Sequence, residues 1–174
     1  QSSYAESPAV ANVINSMRQN QLDTSYIIRS AIKKNPSAMS EIIAEAIKFK
    51  ASDIAKITSG AISANPKAAA EIMAVALVAK PNSIIEIASG AMKGAASTMG
   101  MVIEAVKNAS PANFAQNITA LLKANPANAE AIASFAIQTN PSLTNEITAA
   151  AMKANPNRVS AITSQAIRAN PSAT

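Results

Sequence analysis

The chain has 174 residues, of which 49% are hydrophobic but only 3% aromatic, and its formal net charge is +5. Ala, Ile and Met must therefore fill the interior, which favours closely packed helices over a β-sandwich. His and Cys are absent, which excludes disulfides, thiolate nucleophiles, histidine acid–base chemistry and most zinc or copper sites. Every apolar run is interrupted before it reaches the roughly 18–20 residues of a membrane span.

Residues 1–20 are predicted to form an N-terminal arm followed by a degenerate first helix. The arm, QSSYAES, precedes Val13, Ile14 and Met17, whose spacing is helical, while Pro8 lies two places out of phase with the later prolines. The first residue is Gln1 rather than Met, so we expect that a signal peptide or a pro-segment has been removed. An extracellular or cell-surface location follows from that expectation, with the periplasm as an alternative.

Residues 21–174 are predicted to form one helical-repeat solenoid with a period of fifteen residues. Its prolines are separated by fifteen or thirty residues in every case: Pro36, Pro66, Pro81, Pro111, Pro126, Pro141, Pro156 and Pro171. When each unit is numbered from its proline as position 1, apolar residues recur at positions 4, 7, 8, 11 and 12. This spacing places them on one face of an amphipathic helix, so each unit is predicted to be one helix.

The recurring tripeptide Ala-Asn-Pro predicts where each helix stops and the next one starts. Proline disfavours helical geometry in the residue before it, and its own position is suited to the first turn of a helix. We expect the Asn side chain to cap that new helix. Helices of about 11–12 residues, joined by turns of about three residues, would then run antiparallel.

Position 10 alternates in size between successive units, which indicates a thirty-residue pair of helices. It is small in every second unit, where Gly60, Gly90, Ala120 and Ala150 are predicted to pack between hairpins. The expected fold class is therefore all-α, a right-handed α-solenoid of single-helix units paired into αα-hairpins. Its architecture is similar to that of the short HEAT-like repeats, a resemblance that implies no ligand or site residue.

One irregularity falls within residues 94–110, where the apolar pattern arrives one residue early. A kink or an interaction site is one explanation of this shift, and neutral drift within the repeat is the other.

Most charges have a structural explanation in this repeat. Glu41, Glu71 and Glu86 occupy position 6, near helix N-termini, and lysines such as Lys48 and Lys93 occupy position 13, in the last turn. Both arrangements complement the helix dipole. The alternatives are a ladder of carboxylates for cations and a basic ridge for polyanions, although aromatic partners for nucleic-acid bases are nearly absent. We expect no catalytic, cofactor-binding or metal site, no enzyme activity and no nucleic-acid partner.

The sequence instead favours a structural protein that associates with copies of itself into a filament or sheath. The candidates for this assembly are apolar residues at both ends of the repeat: Val13, Ile14, Met17, Val159, Ile162, Ala166 and Ile167. Different surfaces that join head to tail without closing a ring produce filaments. The alternative is a solenoid adaptor that binds a partner protein or peptide.

Overall fold

The computed structural model describes residues 7–172, so most of the predicted N-terminal arm lies outside the described residues. Within this range the chain forms eleven α-helices and no strand. They are α1 (Pro8–Gln19), α2 (Thr24–Lys34), α3 (Met39–Phe49), α4 (Ile54–Ala64), α5 (Ala69–Ala79), α6 (Ile84–Gly94), α7 (Met99–Ala109), α8 (Phe114–Ala124), α9 (Ala129–Thr139), α10 (Thr144–Ala154) and α11 (Val159–Ala169). The predicted all-α, solenoid-like repeat fold is confirmed, and its right-handed sense stays a prediction.

The segment at repeat positions 1–3 forms a short 3₁₀ turn in eight units, rather than the first turn of an α-helix, whereas the chain after Pro81 makes a turn that is not 3₁₀. These turns are Pro36–Ala38, Ala51–Asp53, Pro66–Ala68, Ala96–Thr98, Pro111–Asn113, Pro126–Asn128, Pro141–Leu143 and Pro156–Arg158. Each leads directly into an α-helix of eleven residues. Where such a turn is present, a single residue at position 15, such as Asn35 with φ −133° and ψ 69°, separates it from the preceding α-helix. The linker in those units is therefore shorter than the three residues that we expected, whereas residues 80–83 link α5 to α6.

The asparagine before each proline does not act as the predicted side-chain cap. At Asn35 the side chain makes no hydrogen bond to the unit that follows. Nδ2 of Asn125 instead donates to the carbonyl of Leu121 at 2.9 Å, and Nδ2 of Asn155 donates to the carbonyl of Pro126 at 3.0 Å. The 3₁₀ turn explains the difference, because it satisfies N–H groups with backbone carbonyls. Asn125 thus closes its own helix, whereas Asn155 connects turns about thirty residues apart.

The chain divides into two compact units, the first ending at Thr98 and the second beginning at Met99. In the first unit α1, α3 and α5 pack side by side, as do α2, α4 and α6. In the second unit α7, α9 and α11 pack in the same way, and so do α8 and α10. Consecutive helices also contact one another within each unit, so the core of each unit lies between two layers of helices.

The core consists of the repeat positions that the apolar pattern predicts. In α3 these are Met39, Ile42, Ile43, Ala46 and Ile47, none of which is more than 6% exposed. Each buried isoleucine contributes about 1.5–3 kcal/mol to folding relative to an exposed one. The same stripe, repeated in successive helices, explains why short helices with few aromatic residues form a stable stack.

The irregular stretch around residues 94–110 keeps its helix in phase with the others. Val106 is fully buried at position 11, where most repeats have alanine. Lys107 then stands at position 12, and its Nζ donates to the carbonyl of Thr139 at 3.0 Å. The shifted pattern therefore changes which side chains occupy positions 11 and 12, and α7 keeps the same length as the helices of the other repeats.

Asp23 caps α2 and gives the first compact unit a pH-dependent contribution to stability. Its carboxylate accepts a hydrogen bond from the Ser25 N–H at 3.1 Å and lies 3.3 Å from Nζ of Lys56. The Ser25 hydroxyl, followed by Lys56, holds the pKa of Asp23 below its ordinary value. Since the native state favours the ionised carboxylate, this contribution is present at neutral pH and is lost as the pH falls below about 4.

We therefore expect Asp23→Ala to lower the free energy of unfolding by about 1 kcal/mol at pH 7, with a smaller loss in acid. Thermal melts of both proteins between about pH 7 and pH 3 would measure this difference. Asp23→Asn, which retains a capping oxygen, is the control and should keep much of the stability at pH 7. A difference between Asp23→Ala and the parent that does not change with pH would contradict the assignment.

Candidate interaction surface

The three residues predicted for an N-terminal assembly surface lie in the interior of the first unit. Val13, Ile14 and Met17 are 2%, 8% and 5% exposed. The reason is that α1 packs against both α2 and α3. They belong to the core, which corrects the expectation that they present an open apolar surface.

The four residues predicted for the C-terminal assembly surface divide into two pairs. Ile162 is fully buried and Ala166 is 6% exposed, whereas Val159 and Ile167 are 42% and 48% exposed. Ile167 occupies position 12, at which several other repeats are at most 2% exposed: Ile32, Ile47, Ile62, Leu122 and Ile137. Of the predicted set, only Val159 and Ile167 are therefore accessible.

The predicted inter-hairpin glycines lie where neighbouring helix backbones approach closely. Gly60 faces the backbone of Ser25, and Gly90 faces that of Ala55. A Cβ atom built on Gly90 would lie 2.9 Å from Cα of Ala55 and closer still to its carbonyl oxygen. Ala120 and Ala150, at the same position in the second unit, are half-buried.

Helix α5 departs from the amphipathic pattern of the other repeats. Its sequence, AAEIMAVALVA, contains one charged residue, Glu71. Val75 is half-buried, Ala74 and Ala79 are exposed, and Val78 is 83% exposed. A helix that is apolar all round is usually buried on every side. Within residues 7–172, one apolar side of α5 is left uncovered.

Val78 is an apolar residue at a repeat position that is otherwise basic or polar. It stands at position 13, which carries a cation in six other units: Lys33, Lys48, Lys93, Lys123, Lys153 and Arg168. Three further units carry a polar residue there: Ser63, Asn108 and Gln138. Sequence reasoning explained the lysines by the helix dipole and overlooked the valine. An apolar residue at position 13, together with the run AVALVA, is the signal that could have identified this surface.

An open apolar groove of about 500 Å³ lies beside Val78, between α3 and α5. It is lined by Ser40, Glu41 and Ala44 of α3 and by Ala74, Val75, Val78 and Ala79 of α5. Two smaller grooves, of about 330 Å³ between α1 and α2 and about 230 Å³ between α10 and α11, include several serine, threonine or asparagine side chains. The groove between α3 and α5 is the more apolar surface.

Charges flank this groove in a regular order. Glu41 lies in the first turn of α3 and Lys48 in its last turn, and both side chains are exposed. Lys48 is 3.9 Å from Glu45. Glu71, in the first turn of α5, accepts a hydrogen bond from the Ser40 hydroxyl at 3.3 Å. Helix α3 therefore has an acidic end and a basic end on its outer side, an order that complements its dipole.

The ionisable groups of the described residues show no arrangement typical of acid–base catalysis. A hydrogen bond from Arg158 holds the pKa of Glu130 below its ordinary value, which is opposite to the shift expected for a general acid. Across residues 7–172 no three acidic side chains lie together in a group that could hold a metal ion. Within the same range, no helix has both the length and the apolar character that crossing a membrane requires.

Together these features define an all-α helical-repeat protein that exposes an apolar surface on one helix. Comparisons of the chain with protein-family models, with curated proteins and with solved structures find no match. Its function must therefore be argued from its own residues.

Proposed function

We propose that this chain is a non-enzymatic structural protein that associates with copies of itself. The observation that supports this function is the uncovered apolar side of α5, where Val78 is 83% exposed. Removal of apolar surface from water is the dominant driving force of most protein association. A contiguous exposed apolar surface is typical of an interaction site.

A contact between identical copies suits this surface better than a varied set of partners. Binding surfaces of adaptors usually place Trp, Tyr or Arg side chains as anchors. The groove between α3 and α5 is lined mainly by alanine and valine, and no aromatic residue or arginine lines it. Small aliphatic side chains on a helix favour close packing against another helix. A partner-binding adaptor is the alternative function.

Growth into a filament or sheath would require a second contact, between two different surfaces of the protein. Val159 and Ile167, the exposed apolar residues of α11, are the candidates for such a contact. Stacking of solenoids into a filament stays a prediction, as does the extracellular or cell-surface location.

Val78→Glu tests the proposed function with little risk to the fold, because Val78 is 83% exposed and glutamate is a good helix former. We expect the change in the free energy of unfolding to stay below about 1 kcal/mol, including the unfavourable interaction of a carboxylate with the C-terminal end of the helix. Self-association should require a concentration at least about tenfold higher, since a carboxylate would have to be desolvated in the contact. Sedimentation velocity over a range of protein and salt concentrations would measure this shift.

Gln138→Glu is the matched control, because Gln138 is an exposed residue at position 13 of α9. It adds the same charge at the equivalent place and should leave association as in the parent protein. A parent chain that remains monomeric at every concentration would exclude the proposed function and favour the adaptor. Equal association of the parent and Val78→Glu would remove the α5 surface from the proposal.

A further inference from the structure

We propose that two copies of the chain pair through α3 and α5 about a two-fold axis, with each helix antiparallel to its counterpart in the second copy. This inference rests on the proposed self-association and specifies its geometry. In such a contact the same surface is used by both copies, so every interaction occurs twice.

The order of charges on α3 is complementary to that of a second copy in this orientation. Glu41, Ala44 and Lys48 are spaced three and four residues apart and therefore share one side of the helix. When α3 packs antiparallel to a second α3 with Ala44 near the axis, Glu41 lies opposite Lys48 of the second copy. A parallel arrangement would instead place like charges together.

The apolar residues of α5 fit the same axis. Ala74 of α5 occupies the same repeat position as Ala44 of α3, which lies thirty residues earlier in the chain. Two helices separated by that step run in the same direction, as α4 and α6 show, where Gly90 faces Ala55 and Gly94 faces Ser59. A single axis can therefore pass near Ala44 and Ala74 together.

This arrangement covers the most exposed apolar side chain of α5. Val78 lies one turn from Ala74, so in the antiparallel pair it packs over Ala74 and the aliphatic stem of Glu71 of the second copy. The Glu71 carboxylate remains at the edge, where Ser40 donates a hydrogen bond to it. The small size of Ala44 and Ala74 near the axis permits the helices to approach closely.

Exchange of the two charges on α3 tests the orientation directly. Glu41→Lys alone and Lys48→Glu alone each place like charges opposite one another twice, so we expect each to weaken association about tenfold. The double variant Glu41→Lys/Lys48→Glu restores opposite charges and should associate within about threefold of the parent. Sedimentation velocity at low salt measures all four proteins, and high salt should reduce the differences.

The double variant Glu86→Lys/Lys93→Glu is the matched control, because these exposed residues occupy the same two repeat positions in α6. It reverses the same helix-dipole interactions outside the proposed contact, and it should not change association. Single α3 variants that associate as the parent does, or a double variant weaker than either single one, would overturn the pairing. If Val78→Glu still weakens association in that case, the proposed function stands and only its geometry fails.

A cysteine cross-link provides a second measurement, because the chain contains no other cysteine. In the proposed pair Ala74 lies near the axis, so Ala74→Cys should form a disulfide-linked dimer under mild oxidation. Ala149→Cys, an exposed residue at the same repeat position in α10, should cross-link much more slowly. Equal cross-linking at both positions would overturn the assigned axis.

Discussion

Gly90→Ala is expected to destabilise the first compact unit, although alanine is the better helix former by about 1 kcal/mol. The new methyl group would lie 2.9 Å from Cα of Ala55 and overlap its carbonyl oxygen. These are backbone atoms, which cannot move away by a change of rotamer as the end of a side chain can. Helices α4 and α6 would have to separate, and we expect a net loss of about 2–3 kcal/mol in the free energy of unfolding.

Gly100→Ala is the control for this prediction. It makes the same chemical change at a position where the new methyl group would meet a side chain, which can move, rather than backbone. Its methyl group would lie 3.2 Å from a ring carbon of Phe135, which is itself 36% exposed. We expect its stability to be unchanged or raised by up to about 1 kcal/mol. Chemical denaturation of both variants measures the contrast, and an equal effect of the two substitutions would contradict close backbone packing at Gly90.

Ile162→Asp should detach α11 from the second compact unit. Ile162 is fully buried, so a carboxylate in its place would lose its hydration without gaining a partner. Such a change costs about 3–5 kcal/mol, which is enough to unfold a terminal helix of eleven residues. Hydrogen exchange should show rapid exchange over residues 159–169, together with a loss of helical circular dichroism.

Ile167→Asp introduces the same charge five residues later, where the parent side chain is 48% exposed. We expect it to cost less than about 1 kcal/mol and to preserve the exchange protection of α11. Only this variant, alone or with Val159→Asp, can test a role of α11 in filament growth, because loss of assembly in Ile162→Asp would follow from unfolding. If the amides of α11 remained protected from hydrogen exchange in Ile162→Asp, the interior position assigned to Ile162 would be wrong.

The helical repeat could be predicted from the sequence because its determinants are local. Proline restricts the residue before it, and apolar residues at positions 4, 7, 8, 11 and 12 can share a face only in an α-helix. These two constraints recur in nearly every unit, so the number and phase of the helices follow from them. The 3₁₀ turns after proline were missed, since the choice between 3₁₀ and α geometry depends on hydrogen bonds within a single turn.

The hydrogen bonds of the asparagines could not be read from the tripeptide Ala-Asn-Pro. Capping of the next helix, closure of the preceding helix and contact with another turn all use the same side chain. In the structure, Asn125 donates to Leu121 of its own unit, whereas Asn155 donates to Pro126 of an earlier one. The outcome depends on which carbonyl the fold brings near, which is a tertiary property.

The sequence by itself determined the all-α class, the fifteen-residue period and the residues that can enter a core. Only the tertiary structure decided which of those residues are covered, because the burial of a side chain depends on the helix two units away. Ile162 and Ile167 are both isoleucines in core positions of α11, yet one is buried and the other is half exposed. Val78 shows the same principle in reverse: its neighbours along the chain are apolar, but no other helix of the described residues packs over it.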